Sequence, residues 1–357
     1  MSSFEFATAA RIVFGAGKAK ELREIIASFG KRPLLVRAPI PMNHLPESVS
    51  FEVTGEPTVA LVRRGTELAR REQCDVVVGF GGGSAMDAAK AIAALLANGG
   101  DPLDYVEVIG KGKPLTKSSA PFIAVPTTAG TGAEVTRNAV LSAPEYKVKV
   151  SMRSPLMLAR VALVDPLLTI GLPPAVTATT GLDALTQLIE PFVSTKANPM
   201  TDALCREGLR RVARSLRRAY EQGDDLAARE DMALASLFGG LALANAGLGA
   251  VHGLAAPIGG MFPHAPHGAV CAALLAPVME VNAQRAPYRD RFEEVRQRVG
   301  DVRELVRALN IPGLRAYGVT ESDFPAIITK ATAASSMKTN PVALSPDELR
   351  QILSSAL

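Results

Sequence analysis

The chain contains no tryptophan, and only 5% of its 357 residues are aromatic. That argues against the stacked aromatic platforms with which proteins grip single-stranded nucleic acid. Cysteine is also scarce. Cys74, Cys205 and Cys271 form no Cys-x-x-Cys pair and no even set, so no disulfide framework is expected. They read as buried thiols of a reducing cytoplasm. Long hydrophobic runs are missing too. The longest apolar stretch, 268–279, is broken by Pro277 and is too short for a bilayer. The polar start runs straight into "ARIVFGAG", so no signal peptide and no membrane association are expected. Nor does charge of one sign dominate: 39 Lys and Arg face 35 Asp and Glu, a balance of +4. Basic residues in segments such as "REGLRRVARSLRRAY" read as solvated helix faces, not a nucleic-acid surface.

What is present suits a globular enzyme. Hydrophobic residues make up 48% and charged residues 21%, which fits one large core or two domains. Up to about residue 160, short apolar runs ("RPLLVRA", "CDVVVGF", "APFIAVPT", "RVALVDP") alternate with helical patterns. Near-continuous apolar strands separated by helices predict a parallel sheet covered on both faces. After Pro173 the strand signal ends and 3.6-residue periodicity takes over. The pattern predicts an α/β domain over 1–162 and an all-helical domain over 163–357. Ser345-Pro346-Asp347-Glu348 predicts a capped helix start.

Two loops and one cluster carry chemistry. Gly81-Gly82-Gly83-Ser84 lies between a buried strand and a helix. Glycines let a ligand approach the backbone, and a helix N-terminus offers free N–H groups to a pyrophosphate. Asp87, in the first turn, suits the helix dipole in any case. The loop matches neither GxGxxG nor a P-loop, so alone it reads as a phosphate site or a tight turn. A second loop, "VPTTAGTGAEVT", also follows a strand, and open α/β sheets bind ligands along that edge. Three of the four histidines, His252, His264 and His267, fall within sixteen positions. Gly259-Gly260 is expected to break the helix carrying His252, and Pro266-His267 to start another. A carboxylate would complete a divalent-metal site, and Asp183, in an otherwise apolar helix start, is the candidate. Taken singly, each of these residues also fits a purely structural role.

Together the segments "RIVFGAG", "GGGSAMDAAK", "PTTAGTGAEVT", "ALVDPLLTIGLPP", "TGLDALTQLIE" and "VHGLAAPIGGMFPHAPHG" resemble the iron-containing (group III) alcohol dehydrogenase family over nearly the whole chain. The resemblance implies a Rossmann-like, dinucleotide-binding α/β domain and a helical domain in a dehydroquinate synthase-like architecture, with a metal in the cleft between them. It implies NAD(P) as cofactor, Fe2+ or Zn2+ as metal, a small alcohol or aldehyde as substrate, and a homodimer. Carried over by motif, Gly82, Gly83, Ser84 and Asp87 hold the pyrophosphate side of the cofactor. Thr127, Thr128, Thr131 and Lys149 line it, and Asp183, His252 and His267 bind metal.

This sequence departs from the family at four places. Gln187 stands where a metal-binding histidine is usual, and is read here as a weak fourth ligand or a partner of the metal's water. Ala256 replaces a second histidine commonly linked to proton relay, which leaves His264 as the spare imidazole. Ala38 replaces the acid that bonds the adenosine ribose, with Arg37 beside it as a candidate for the 2′-phosphate of NADP. Glu56 replaces an asparagine. Losing a nitrogen ligand weakens an Fe(II) site and makes zinc more plausible than is usual for the family. The resemblance also extends to maleylacetate reductases, which work without bound metal, and to dehydroquinate synthase-type lyases. A lyase of that type needs several basic groups, and Arg137 and Lys149 are the obvious ones here. The two missing histidines also leave open a remnant that binds nucleotide without turnover.

Overall fold

The computed structural model describes residues 3–39 and 48–357, so His44 lies outside the described residues. The chain divides into two compact units. An α/β unit comprises Ala7–Thr128 and Ala133–Thr169, and a helical unit comprises Ile170–Leu357 with Ala129–Gly132 and an N-terminal piece ending at Phe6.

The α/β unit runs β1 (Ile12–Phe14), α1 (Leu22–Ala27), β2 (Pro33–Arg37), β3 (Val49–Glu52), α2 (Val59–Arg71), β4 (Val76–Gly81), α3 (Gly83–Asn98), α4 (Pro102–Tyr105), β5 (Phe122–Pro126), β6 (Asn138–Ala143), β7 (Val148–Arg153) and β8 (Val161–Val164). Six strands form one parallel sheet in the order β1-β8-β5-β4-β2-β3. The inner strands β4, β5 and β8 are buried along their whole length, which explains why their sequences carry no polar side chain. One face packs Leu22, Ile25 and Ile26 of α1 on Leu35, Val78, Phe80, Ile123 and Leu163. β6 and β7 form a separate antiparallel ribbon that pairs Asn138 with Arg153 and Ala143 with Val148.

A buried polar group joins α3 to this ribbon. Lys90, 1% exposed, donates to Thr136 Oγ1 (2.8 Å) and the Asn138 carbonyl (2.5 Å), and pairs with Asp87 Oδ1 at 3.2 Å. The Val140 N–H donates to Asp87 Oδ2 at 3.0 Å. Nearby Glu134 is 3% exposed, and burial pushes its carboxyl up from 4.5 to about 7, against the pull of Lys90. The sign of the linkage follows. Between these two values the folded chain holds a proton that the unfolded chain has released, so stability falls as pH rises through the window. Glu134→Gln is expected to flatten that dependence and to gain at most roughly 3 kcal/mol over the parent at pH 8. Urea denaturation at pH 5 and pH 8 checks this; a constant offset between the two proteins would contradict it.

The helical unit contains α5 (Pro174–Val193), α6 (Pro199–Glu221), α7 (Leu226–Ala246), α8 (Ala250–Met261), α9 (His267–Arg285), α10 (Arg289–Val299), α11 (Val302–Ala308), α12 (Phe324–Ala333) and α13 (Pro346–Ala356). α5 lies at its centre, buried almost continuously from Gly181 to Val193, and packs on α6, α7 and α9. Leu182, Leu185, Ile189 and Phe192 belong to the same core as Leu209, Leu216, Leu254 and Leu275. Ser345 and Glu348 form the expected capping box at the start of α13, with Pro346 in its first turn.

One expectation is corrected. The helix carrying His252 does not break at Gly259-Gly260, because α8 continues to Met261. The break comes earlier, at Gly247-Leu248-Gly249, where α7 and α8 meet at 99°. Gly247 adopts φ +76, a conformation that ends helices readily only as glycine. His252 therefore sits in the first turn of α8. No single helix among the described residues is long and apolar enough to cross a membrane.

Candidate functional site

The α/β unit places the glycine loop between a strand and a helix, as expected. β4 ends at Gly81 and α3 begins at Gly83, with Gly82 as an N-cap that lacks any side-chain hydrogen bond. The first N–H groups of α3 are thus free of a capping side chain, as an anion site requires. Gly81 has φ +154, and a Cβ there would lie 2.8 Å from Ala85 Cβ and 3.0 Å from Ala38 Cβ. Gly82 is different. Its φ of −79 and ψ of −170 suit any residue, and a Cβ would meet only Thr128, at 3.3 Å.

The other cofactor candidates are distributed as follows. Ser84 is in the first turn of α3, half-buried. Asp87 is occupied by the Val140 N–H and Lys90 described above. Thr127 is buried and its N–H donates to the Gly81 carbonyl at 2.9 Å, which ties the two loops together. Thr128 faces Gly82. Thr131 lies in Ala129–Gly132, which belongs with the helical unit; a Cβ on Gly130 would come 2.7 Å from Thr180 Cβ. Lys149 on β7 pairs with Glu56 and has a side chain only 7% exposed. Arg37 donates to Ser50 Oγ (3.0 Å) and pairs with Glu52 Oε2 (3.2 Å), both on the neighbouring strand β3. Ala38 donates its N–H to the Phe80 carbonyl and stands beside Gly81.

The helical unit gathers the metal candidates. Asp183 on α5, His252 on α8, and His267 and Cys271 on α9 each present a donor atom within 4.8 Å of the others. His252 Nε2 is 3.4 Å and His267 Nε2 3.8 Å from Asp183 Oδ1, and the two rings are 5.4 Å apart. Cys271 Sγ is 3.6 Å from His267 Nε2. Asp183 and His252 are buried, yet Asp183 Oδ1 and His252 Nε2 have no hydrogen-bond partner. Buried polar atoms rarely stay unpaired without a reason, and a bound cation supplies one. Burial works against an ionised Asp183, but the imidazoles of His252 and His267 outweigh it and hold the carboxyl below its usual range. Burial likewise opposes a charged His252, while Cys271, Glu190 and Asp183 around it raise its proton affinity well above normal. Burial pushes the Cys271 thiol up to about 11.

Two supporting groups surround the cluster. Gln187, one turn after Asp183, donates from Nε2 to Asp183 Oδ2 at 2.9 Å, and its buried Oε1 has no partner. Glu190 accepts from His252 Nδ1 at 2.6 Å and from the Val251 N–H at 2.7 Å. The bond at Nδ1 orients the ring so that Nε2 faces Asp183 Oδ1. Gly249 permits this approach: a Cβ there would lie 2.8 Å from Glu190 Oε1.

Sequence reasoning missed Cys271 and Glu190. The signals were there. Cys271 follows His267 by four residues on one helix, and Glu190 follows Asp183 by seven, so each shares a face with a ligand candidate. His264 sits exposed in the turn between α8 and α9, outside the four-residue cluster.

A family model described as "Iron-containing alcohol dehydrogenase" matches residues 9–166, and one described as "Fe-containing alcohol dehydrogenase family, C-terminal" matches 177–357. Alcohol dehydrogenase 4 of Saccharomyces cerevisiae is 40% identical over 312 residues, covering 84% of this chain and 80% of the relative. The 1,3-propanediol dehydrogenase of Klebsiella pneumoniae is 39% identical, covering 81% of this chain and 78% of the relative. A crystal structure of a 1,3-propanediol oxidoreductase superposes with a TM-score of 0.92 at 34% identity, covering 100% of both chains.

Proposed function

The chain belongs to the iron-containing alcohol dehydrogenase family and is an alcohol/aldehyde oxidoreductase, and from that premise we propose that it interconverts an alcohol and its aldehyde or ketone with NAD(P) and one divalent metal. The observation that carries this reading is the buried donor cluster with its unpartnered Asp183 Oδ1 and His252 Nε2. When bound, the nicotinamide exchanges hydride at C4 and the metal polarises the carbonyl or alkoxide oxygen.

The chain's own residues divide the remaining work. The free N–H groups at the start of α3, with Gly82, Gly83 and Ser84, receive the cofactor pyrophosphate. Thr127, Thr128 and Thr131 line the cofactor. Lys149, paired with Glu56, contacts the cofactor, and Asp87, bonded to Lys90 and the Val140 N–H, braces α3 behind the pyrophosphate loop. Asp183, His252 and His267 hold the metal, and Gln187 and Glu190 fix the orientation of the first two. His264, exposed and three residues before His267, exchanges the proton with solvent. The test is an aldehyde panel with NADH and NADPH, read by nicotinamide absorbance, on metal-loaded and chelated protein. Turnover that needs metal supports the reading. No turnover with any aldehyde would favour a remnant that binds nucleotide only.

Cofactor choice follows from the end of β2. An acid there hydrogen-bonds the ribose hydroxyls of NAD and repels a 2′-phosphate. Ala38 does neither. Arg37 is held by Ser50 and Glu52, so a 2′-phosphate must compete with Glu52 for it. NADPH is therefore expected to be accepted. Ala38→Asp is expected to shift the NADH/NADPH ratio of kcat/KM at least tenfold toward NADH, about 1.4 kcal/mol. An unchanged ratio would show that the ribose lies elsewhere.

A further inference from the structure

We propose that Cys271 is a ligand of the divalent metal, giving this chain an Asp–His–His–Cys donor set that selects zinc over iron(II) more strongly than an all-nitrogen-and-oxygen set would. The inference rests on the metal-binding reading above and goes further by naming the donor that offsets the loss of histidine at position 187.

The argument is geometric. Four donors placed about 2.0–2.3 Å from one tetrahedral ion lie about 3.3–3.8 Å from each other. Asp183 Oδ1 to His252 Nε2 is 3.4 Å, Asp183 Oδ1 to His267 Nε2 is 3.8 Å, and His267 Nε2 to Cys271 Sγ is 3.6 Å. Three edges of the expected tetrahedron are therefore in place, and the remaining pairs also lie within 4.8 Å. Cys271 is fully buried and reaches the cluster because it follows His267 by one turn of α9. Asp183 Oδ1 and His252 Nε2 are buried and face each other with no hydrogen bond completed, an arrangement that a cation between them would resolve. Gln187 is the competing fourth donor: its Nε2 is bonded to Asp183 Oδ2 while its buried Oε1 has no partner, and a cobalt(II) spectrum decides between it and Cys271.

Chemistry follows from the donor type. On binding, the Cys271 S–H bond breaks, the proton passes to solvent and the sulfur bonds the metal. A thiolate is a soft donor that suits zinc and cobalt(II) well. Zinc also accepts a fifth ligand, so four protein donors do not close the site to an alcohol or carbonyl oxygen.

The test uses the full chain, stripped by chelator and reloaded without oxygen with one equivalent of cobalt(II). The wild type should show a sulfur-to-cobalt charge-transfer band in the near ultraviolet. Cys74→Ser should keep that band and Cys271→Ser should lose it. In competition with a chromophoric chelator, Cys271→Ser should weaken zinc binding by about 100-fold. Iron(II) affinity should fall by less, so that the zinc/iron(II) ratio drops at least tenfold. Stoichiometric cobalt in the wild type without the band, or a band that survives in Cys271→Ser, overturns the assignment and leaves Gln187 as the fourth donor. The wild-type spectrum decides even if the variant fails to fold. Cobalt that does not bind the wild type at all overturns the underlying metal reading as well.

Discussion

Asp183→Ala is expected to purify without metal and to lose at least 100-fold in kcat/KM, about 2.7 kcal/mol of transition-state stabilisation. The reason is position. Asp183 is 2% exposed at the middle of α5, and its Oδ1 is the atom to which both His252 and His267 point. Without it, Gln187 Nε2 loses its acceptor and His267 loses the carboxylate it faces, while His252 keeps Glu190. Groups that merely orient ligands typically cost 10–100-fold when lost, and a ligand should cost more. Alanine favours helix, so the fold should survive. Asp183→Asn keeps the shape and loses the charge, and should fail in the same way. Metal content per chain, measured beside kcat/KM, checks both. A metal-loaded Asp183→Ala would remove Asp183 from the site.

Gly82→Val is expected to weaken NAD(P) binding at least 100-fold, about 2.7 kcal/mol, with the fold intact. Valine can adopt the backbone angles of Gly82, and its Cβ meets only Thr128, whose side chain can yield. The branched side chain would instead cover the N–H groups to which the pyrophosphate must come close. Gly81→Ala provides the contrast. There the backbone has φ +154 and the new Cβ presses on Ala85 and Ala38, so the loss should appear as stability. Calorimetric titration with NADH and NADPH, with thermal denaturation alongside, separates the two effects. Unchanged affinity in folded Gly82→Val would take the loop out of the cofactor site.

The legible part of the fold was the part that periodicity reports. β2, β4, β5 and β8 were readable because inner parallel strands are apolar on both faces. β3 was not, because an edge strand exposes every other residue and "VSFE" is too short to show its alternation. The ribbon β6–β7 was missed for a related reason. Its alternating "NAVLSA" and "VKVSMR" are recognisable as strands mainly through each other, and pairing is not written in local sequence. The break before α8 was placed too late because Gly247, Gly249, Gly259 and Gly260 look alike in sequence, whereas only the first pair meets a sharp turn and the close approach of Glu190.

The site was legible in its motif residues and less so in what completes it. Asp183, His252 and His267 stood out as a lone acid and clustered imidazoles. Cys271 did not, since a single cysteine in an apolar helix is most often a packed thiol. Glu190 looked like one acid among many until its carboxylate was seen on His252 Nδ1.

The most direct test of the account is metal analysis of protein purified without chelator, paired with activity before and after chelation. The account predicts one divalent ion per chain, loss of aldehyde reduction on its removal, and recovery when zinc or iron(II) is returned. Full activity in protein shown to be free of metal would contradict it, and would place the chemistry on the nicotinamide and the protein's own side chains alone.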